Sequence, residues 1–179
     1  MEHAPYRDQS VVKAIVDRFE CGDFKIEEFT HALHVTVAAW YLCEVTADEG
    51  LVRMRAGLRR FIEHHGKQGY HETITRFWME LIGSCLSQMP GETSITRRVN
   101  QVVERYGSKE VLFEYYTREH VMSDLAKKEW VEPDLKAIQH GRYTEGVQAE
   151  ETRRAPCPSM VQVLTGWLQA PWRRRHRKR

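Results

Sequence analysis

The chain has 179 residues, of which 41% are hydrophobic and 29% are charged. These values are typical of a folded globule and exclude the low-hydrophobicity, high-charge class of disordered chains. The net charge of +2 hides an asymmetry, because residues 173–179 hold six Lys or Arg and leave about −4 (2 − 6) on the rest. A mildly acidic body argues against a basic nucleic-acid groove across the fold.

From the sequence we expect neither a secretory leader nor a membrane span. No apolar run reaches the ~18 residues of a transmembrane helix, and the N-terminus lacks a basic region followed by an apolar one. We therefore expect a cytoplasmic protein. The four cysteines form no CxxC pair, so a thiolate zinc site is not indicated.

Apolar residues recur at helical spacing along most of the chain, whereas the two-residue alternation of strands is almost absent. The pattern predicts an all-α fold, a single compact bundle of about six helices over residues 1–140. The stretch from 125 to 138 is expected to form a short helix, a turn at Pro133 and a docking segment. The predicted helices lie at about 9–20, 26–45, 47–65, 71–89, 94–106 and 110–124.

Residues 141–179 differ in composition from the bundle and are expected to be less ordered. A polar, proline-containing linker precedes a short amphipathic segment, which is followed by the basic tail 173–179. The tail could touch RNA or an anionic membrane, where each basic residue contributes about 1 kcal/mol. A solvated terminus is the simpler alternative.

The second predicted helix is apolar on almost all sides, yet it contains His31 and His34 at i and i+3. A buried imidazole without a partner costs about 1–3 kcal/mol, so polar groups should face this pair. His71 and Glu72 start the fourth helix, where free backbone N–H groups favour an anion or a neutral histidine.

If the second and fourth helices pack together, His31, His34 and His71 converge. Three imidazoles are a common ligand set of catalytic zinc, so the pattern predicts a divalent metal site for zinc, iron or manganese. Glu72 and His71 would then be the catalytic groups, with Glu72 as base or orienting residue. We expect Tyr70, Arg59 and Arg76 to contact an anionic substrate.

Known metal motifs fit only in part. Thr75 stands where HExxH requires its second histidine, and Glu28-x-x-His31 lacks the second copy that di-iron bundles need. The alternative is that the histidines bond to neighbouring helices in the core. Glu72 and Arg76 would then form an ordinary i, i+4 ion pair.

Two segments, FTHALHV at 29–35 and GYHETIT at 69–75, carry a resemblance to a known family. The chain from about 24 to 138 is similar to an uncharacterised family of small bacterial all-helical proteins with (F/W)THxxHL and GYHETIT motifs. The resemblance implies that His31, His34, His71 and Glu72 belong to one site. Val35 departs from the family's usual leucine, which should affect packing only.

The sequence is compatible with two functions. The first is a metal-dependent or small-molecule enzyme centred on the histidines. The second is a non-catalytic helical binding or regulatory module, in which the histidines form a structural hydrogen-bond network. The first predicts a bound metal or small molecule, and the second predicts stabilising contacts without chemistry.

Overall fold

The structure, a computed structural model, describes residues 5–139 as helices joined by short turns, with no strand in that range. The predicted all-helical class is confirmed. No helix in this part of the chain is long and apolar enough to span a membrane. The predicted linker, amphipathic segment and tail after residue 140 lie outside the described residues. The helices are α1 (Gln9–Cys21), α2 (His31–Glu44), α3 (Ala47–His64), α4 (Glu72–Ser87), α5 (Ile95–Tyr106), α6 (Leu112–Tyr115), α7 (Arg118–Val121) and α8 (Asp124–Lys128), with a 3₁₀ turn at Lys109–Val111.

Helix α2 is the centre of the fold. It packs against α1, α3, α4 and α5, and every residue from Val35 to Leu42 is buried. A helix without a polar face is stable only where neighbours cover all its sides. The two halves of the predicted site, on α2 and at the start of α4, are therefore brought together by the core itself.

Side-chain caps set the helix starts that the sequence predicts. Asp8 accepts from the backbone of α1, Thr46 from Glu49 in α3, and Ser94 from Arg97 in α5. Each cap satisfies backbone N–H groups that have no partner within the helix. Gly66, with φ of 59°, ends the turn after α3 in the left-handed region.

Helix α2 begins at His31 and not near residue 26 as predicted. Residues before it form turns, with the Phe29 N–H donating to Lys25 O. The Phe29 ring stacks on Phe19 and Phe24, with centroids 4.9 and 5.2 Å away. Because both Phe24 and Phe29 are buried on this aromatic cluster, the chain turns before the helix starts, and Thr30 takes the cap position.

The predicted helix over 110–124 is wrong, because the chain breaks at Tyr116 and Thr117. Tyr116 is extended (φ −127°, ψ 139°), and the Thr117 hydroxyl caps α7 by accepting from His120 N–H. The Asp134 carboxylate accepts from Thr117 N–H at 2.8 Å and from its hydroxyl at 2.5 Å. The partner lies 17 residues along the chain, beyond the range of local helix signals.

Residues 129–139 return across α4, as the predicted docking segment requires. The hydroxyl of Thr73 donates to Glu129 O at 2.6 Å and accepts from Val131 N–H at 3.1 Å. The buried Tyr116 hydroxyl donates to Val131 O at 2.8 Å. These bonds satisfy an extended backbone that has no sheet partner.

Candidate small-molecule site

A pocket of about 280 Å³ lies between α2, α3, α4 and the turn that precedes α4. Each helix contributes one face: the lining residues of α2 fall at i, i+3, i+4 and i+7, and those of α3 at i, i+4 and i+8. Most of the wall is apolar. The lining residues are His31, His34, Val35, Ala38, Met54, Leu58, Ile62, Gly69, Tyr70, His71, Ile74, Thr75, Trp78 and Met79.

His34 is held by its own helix. Its Nδ1 lies 2.9 Å from Thr30 O, and its ring packs on Phe29 at 4.0 Å between centroids. A carbonyl oxygen only accepts, so Nδ1 carries the proton and Nε2 has the lone pair. Burial lowers the pKa of His34 to about 4, and the imidazole is neutral at pH 7.

His31 joins the start of α2 to the end of α5. Its Nε2 donates to Tyr106 O at 3.1 Å, a carbonyl in the last turn of a helix, where intrahelical partners are missing. The ring contacts Trp78, with centroids 4.5 Å apart. Burial lowers the pKa of His31 as well, which leaves Nδ1 as the unprotonated nitrogen.

The two lone-pair nitrogens, His34 Nε2 and His31 Nδ1, have no hydrogen-bond partner among residues 5–139. Neither is among the fully buried, partnerless side-chain nitrogens of the described residues, which are Nε of Arg60 and Nε of Arg98. Because both imidazoles line the pocket, a molecule bound there is placed to bond to them.

His71 has a different role, because both of its ring nitrogens are engaged. Nδ1 accepts from Ile74 N–H at 3.3 Å and caps α4, while Nε2 donates to Val121 O at 2.9 Å at the end of α7. Burial lowers the pKa of His71. Its ring forms part of the pocket wall, but its nitrogens stabilise the fold.

The three predicted ligands line one pocket, yet they do not fit a metal centre. A metal ligand must offer an unprotonated nitrogen, and the lone pair of His71 is already bonded to the backbone of α4. Within residues 5–139 no group of three or more His, Cys, Asp or Glu side chains is placed to hold a metal ion. We therefore derive no chemistry through a metal.

Glu72 lies beside the pocket wall in a network of its own. It is 8% exposed and forms an ion pair with Arg55, whose Nε lies 3.2 Å from Oε2. The Tyr70 hydroxyl donates to the same oxygen at 2.8 Å. Burial opposes ionisation of Glu72, but the hydrogen bonds from Arg55 and Tyr70 outweigh it and lower its pKa. The predicted i, i+4 pairing of Glu72 with Arg76 is wrong.

The three predicted substrate contacts separate in the structure. Tyr70 lines the pocket. Arg59 lies over the Tyr70 ring, 4.7 Å from its centroid, and does not itself line the pocket. Arg76 pairs with Glu80 at 2.5 Å and covers Trp130 at 4.5 Å, so it belongs to a different surface.

Sequence reasoning missed two residues that shape the site. Trp78 lines the pocket and contacts His31, and its position seven residues after His71 on the same helical face was a usable signal. Arg55 neutralises Glu72, but nothing in its local sequence distinguishes it from the neighbouring arginines of α3.

Comparison with models of protein families, with curated proteins and with solved structures found no match for this chain. The similarity to a family with (F/W)THxxHL and GYHETIT motifs stays a prediction from the sequence. The site is consequently interpreted from its geometry and chemistry.

Proposed function

We propose that this chain is a non-catalytic small-molecule-binding protein whose ligand occupies the pocket between α2, α3 and α4. The observation that carries the proposal is an apolar pocket of about 280 Å³ with two imidazole nitrogens that have no hydrogen-bond partner among the described residues. Small-molecule sites typically combine a mostly apolar wall with a few placed polar groups.

The size of the pocket indicates the size of the ligand. An engineered apolar cavity of about 150 Å³ in another protein binds benzene, and this pocket is roughly twice as large. A molecule with two fused rings, such as naphthalene or indole, has the matching volume. Met54, Leu58 and Ile62 from α3 supply one apolar wall against which such a ring system packs.

The polar groups support binding better than catalysis. A general base is most effective when its pKa lies near the working pH, and the pKa of His34 is about 4. The nitrogens of His71 are both bonded to backbone, and Glu72 is neutralised by Arg55. The proposal thus combines the two sequence hypotheses. It keeps the small-molecule ligand of the enzyme hypothesis and the structural histidine network of the binding-module hypothesis.

We also propose a cytoplasmic location and a role for the basic tail, both from the sequence. The cytoplasmic location rests on the sequence alone. Contact of the basic tail 173–179 with RNA or an anionic membrane concerns residues outside the described range.

The test is whether naphthalene binds to the full chain. Ligand-observed NMR and competition with a fluorescent bicyclic probe measure this binding. Leu58→Trp should fill the pocket and weaken binding by about tenfold or more. Leu51→Trp is the matched control, because Leu51 lies on the same helix, packs on the core and does not line the pocket.

Ile62→Trp should also fill the pocket, from another turn of α3. Thermal unfolding shows whether each variant is folded. Elemental analysis of the protein, purified without chelators or a histidine tag, is done in parallel. Absence of binding of any bicyclic probe by the wild type, or equal binding by a folded Leu58→Trp variant, would overturn the proposal. A stoichiometric metal lost in a folded His31→Ala variant would restore the metal hypothesis in its place.

A further inference from the structure

The hydrogen-bond roles of the pocket's imidazoles are fixed by the backbone. Carbonyl oxygens of Thr30 and Tyr106 accept from His34 Nδ1 and His31 Nε2, and a neutral imidazole has only one N–H. The remaining nitrogens can therefore act only as acceptors. A ligand that satisfies them must bring hydrogen-bond donors.

The wall offers few donors in return. The Tyr70 hydroxyl donates to Glu72, the Thr75 hydroxyl to His71 O at 2.9 Å, and the N–H of His71 to Val121 O. Among the described residues that line the pocket, the indole N–H of Trp78 is the side-chain donor left without a protein acceptor. The site is thus richer in acceptors than in donors.

This balance disfavours a carboxylate ligand. An anion has no proton to donate to the two lone pairs, and burying it unpaired is costly. Of the cations beside the pocket, Arg55 pairs with Glu72, and Arg59 lies over the Tyr70 ring without lining the pocket. An ammonium ligand finds no carboxylate among the described residues that line the pocket. The nearby Glu72 carboxylate is already paired with Arg55.

The wall also selects for a flat ring. His31 and Trp78 present rings in contact with each other, and Tyr70 adds a third aromatic side chain. Aromatic side chains pack favourably against aromatic ligands in offset or edge-on geometry.

We infer that the ligand is an uncharged aromatic molecule that donates a hydrogen bond through an O–H or N–H group, the class of the phenols and indoles, with His34 Nε2 as its principal acceptor. The inference rests on the proposed function and adds the chemical class of the ligand. A hydroxyl suits the site especially well, because it donates to an imidazole and can also accept from Trp78.

Three probes of one shape test the inference: naphthalene, 1-naphthol and 1-naphthoate, titrated into the full chain by calorimetry at pH 7.5. We expect 1-naphthol to bind about tenfold or more tightly than naphthalene, which corresponds to one hydrogen bond of about 1.4 kcal/mol. Naphthoate should bind no more tightly than naphthalene.

Variants at His34 assign the preference to its nitrogen. His34→Leu should bind both neutral probes equally, whereas His34→Gln, whose amide oxygen accepts, should keep part of the preference. His65→Leu is the matched control: His65 Nδ1 also bonds to the carbonyl four residues earlier, Phe61 O at 3.1 Å, and its ring also packs on a phenylalanine, but it does not line the pocket.

The outcomes separate the two proposals. If naphthalene and 1-naphthol bind with equal affinity and Leu58→Trp blocks both, the binding function stands and the inferred ligand class is wrong. Preference for naphthoate would also overturn the inference. If no probe binds, the proposed function itself fails. His34→Gln keeps the test decisive if His34→Leu does not fold.

Discussion

Arg55 and Glu72 form an ion pair that links the middle of α3 to the first turn of α4. The same carboxylate accepts the hydroxyl of Tyr70, whose ring is part of the pocket wall. Arg55 therefore helps to position Tyr70, because both side chains bond to the same Glu72 carboxylate. The ion pair with Arg55 and the hydrogen bond from Tyr70 allow the Glu72 carboxylate to be buried outside the pocket lining.

Replacing Arg55 by leucine should destabilise the protein by about 1–3 kcal/mol, because the Glu72 carboxylate, with an 11% exposed side chain, loses its cation. The loss is smaller than the 3–5 kcal/mol of a fully buried pair, since the Arg55 side chain is 32% exposed. Urea unfolding measures the change. Arg53→Leu is the control, because its pair with Glu49 is solvent-exposed and should contribute about 0.5 kcal/mol or less. Equal losses for the two variants would contradict the role of Arg55.

Acidification should destabilise the fold through His34. Its pKa is about 4 in the folded protein against 6.5 for the free side chain, so below pH 6.5 the unfolded chain binds a proton that the folded chain does not. The free energy of unfolding should fall as the pH drops from 6.5 towards 4, by on the order of 2–3 kcal/mol for this residue.

Urea unfolding at pH 7.5 and pH 4.5 checks this pH dependence. In His34→Leu the difference between the two pH values should shrink, while a residual slope remains because burial also lowers the pKa of His31 and His71. An unchanged slope in the folded variant would show that His34 is not the group responsible.

Thr73→Val should cost about 2–3 kcal/mol although the two side chains have the same shape. The Thr73 hydroxyl is fully buried and bonds to both Glu129 O and Val131 N–H, and a buried backbone group left without a partner costs about 1–3 kcal/mol. Thr75→Val is the comparison and should cost less. The Thr75 hydroxyl donates to His71 O, and this carbonyl keeps the Thr75 backbone N–H as a donor when the hydroxyl is removed. Thermal or urea unfolding of both variants gives the difference, and similar losses would contradict the docking role of Thr73.

Alanine should have opposite effects at two helical glycines. A Cβ at Gly57 would lie 2.4 Å from the Phe19 ring, whereas one at Gly83 would meet Leu42 at 4.0 Å, an ordinary contact. Gly57→Ala should destabilise by about 1–2 kcal/mol through overpacking, after the gain in helix propensity. Gly83→Ala should be neutral or stabilise by up to about 1 kcal/mol. The order of the two thermal midpoints tests the prediction, and it fails if Gly57→Ala is the more stable variant.

Periodicity was sufficient to predict the helical fold and the central position of α2, because a helix without a polar face must be central. That α2 meets α4 was a condition of the site hypothesis and not a prediction of the pattern. The i, i+3 spacing was also sufficient to place His31 and His34 on one face of α2. These features depend on short-range patterns along single helices.

The partners of those histidines could not be predicted from the same patterns. His31 bonds to a carbonyl 75 residues away and His71 to one 50 residues away, and any helix end supplies such carbonyls. Glu72 forms its ion pair with Arg55, 17 residues earlier, and not with the neighbouring Arg76, which pairs with Glu80. The fit of a metal to the three histidines could not be judged from the sequence for the same reason, because both ring nitrogens of His71 are bonded to backbone.

The most direct test of the account is long-range ¹H–¹⁵N NMR of the histidine rings at pH 7.5, without and with 1-naphthol. We expect the proton on Nδ1 of His34 and on Nε2 of His31 and His71, and we expect the resonance of His34 Nε2 to shift when ligand binds while the His71 nitrogens stay unchanged. A proton on Nε2 of His34, or a ligand that leaves this nitrogen unmoved, would contradict the claim that the pocket recognises its ligand through that lone pair.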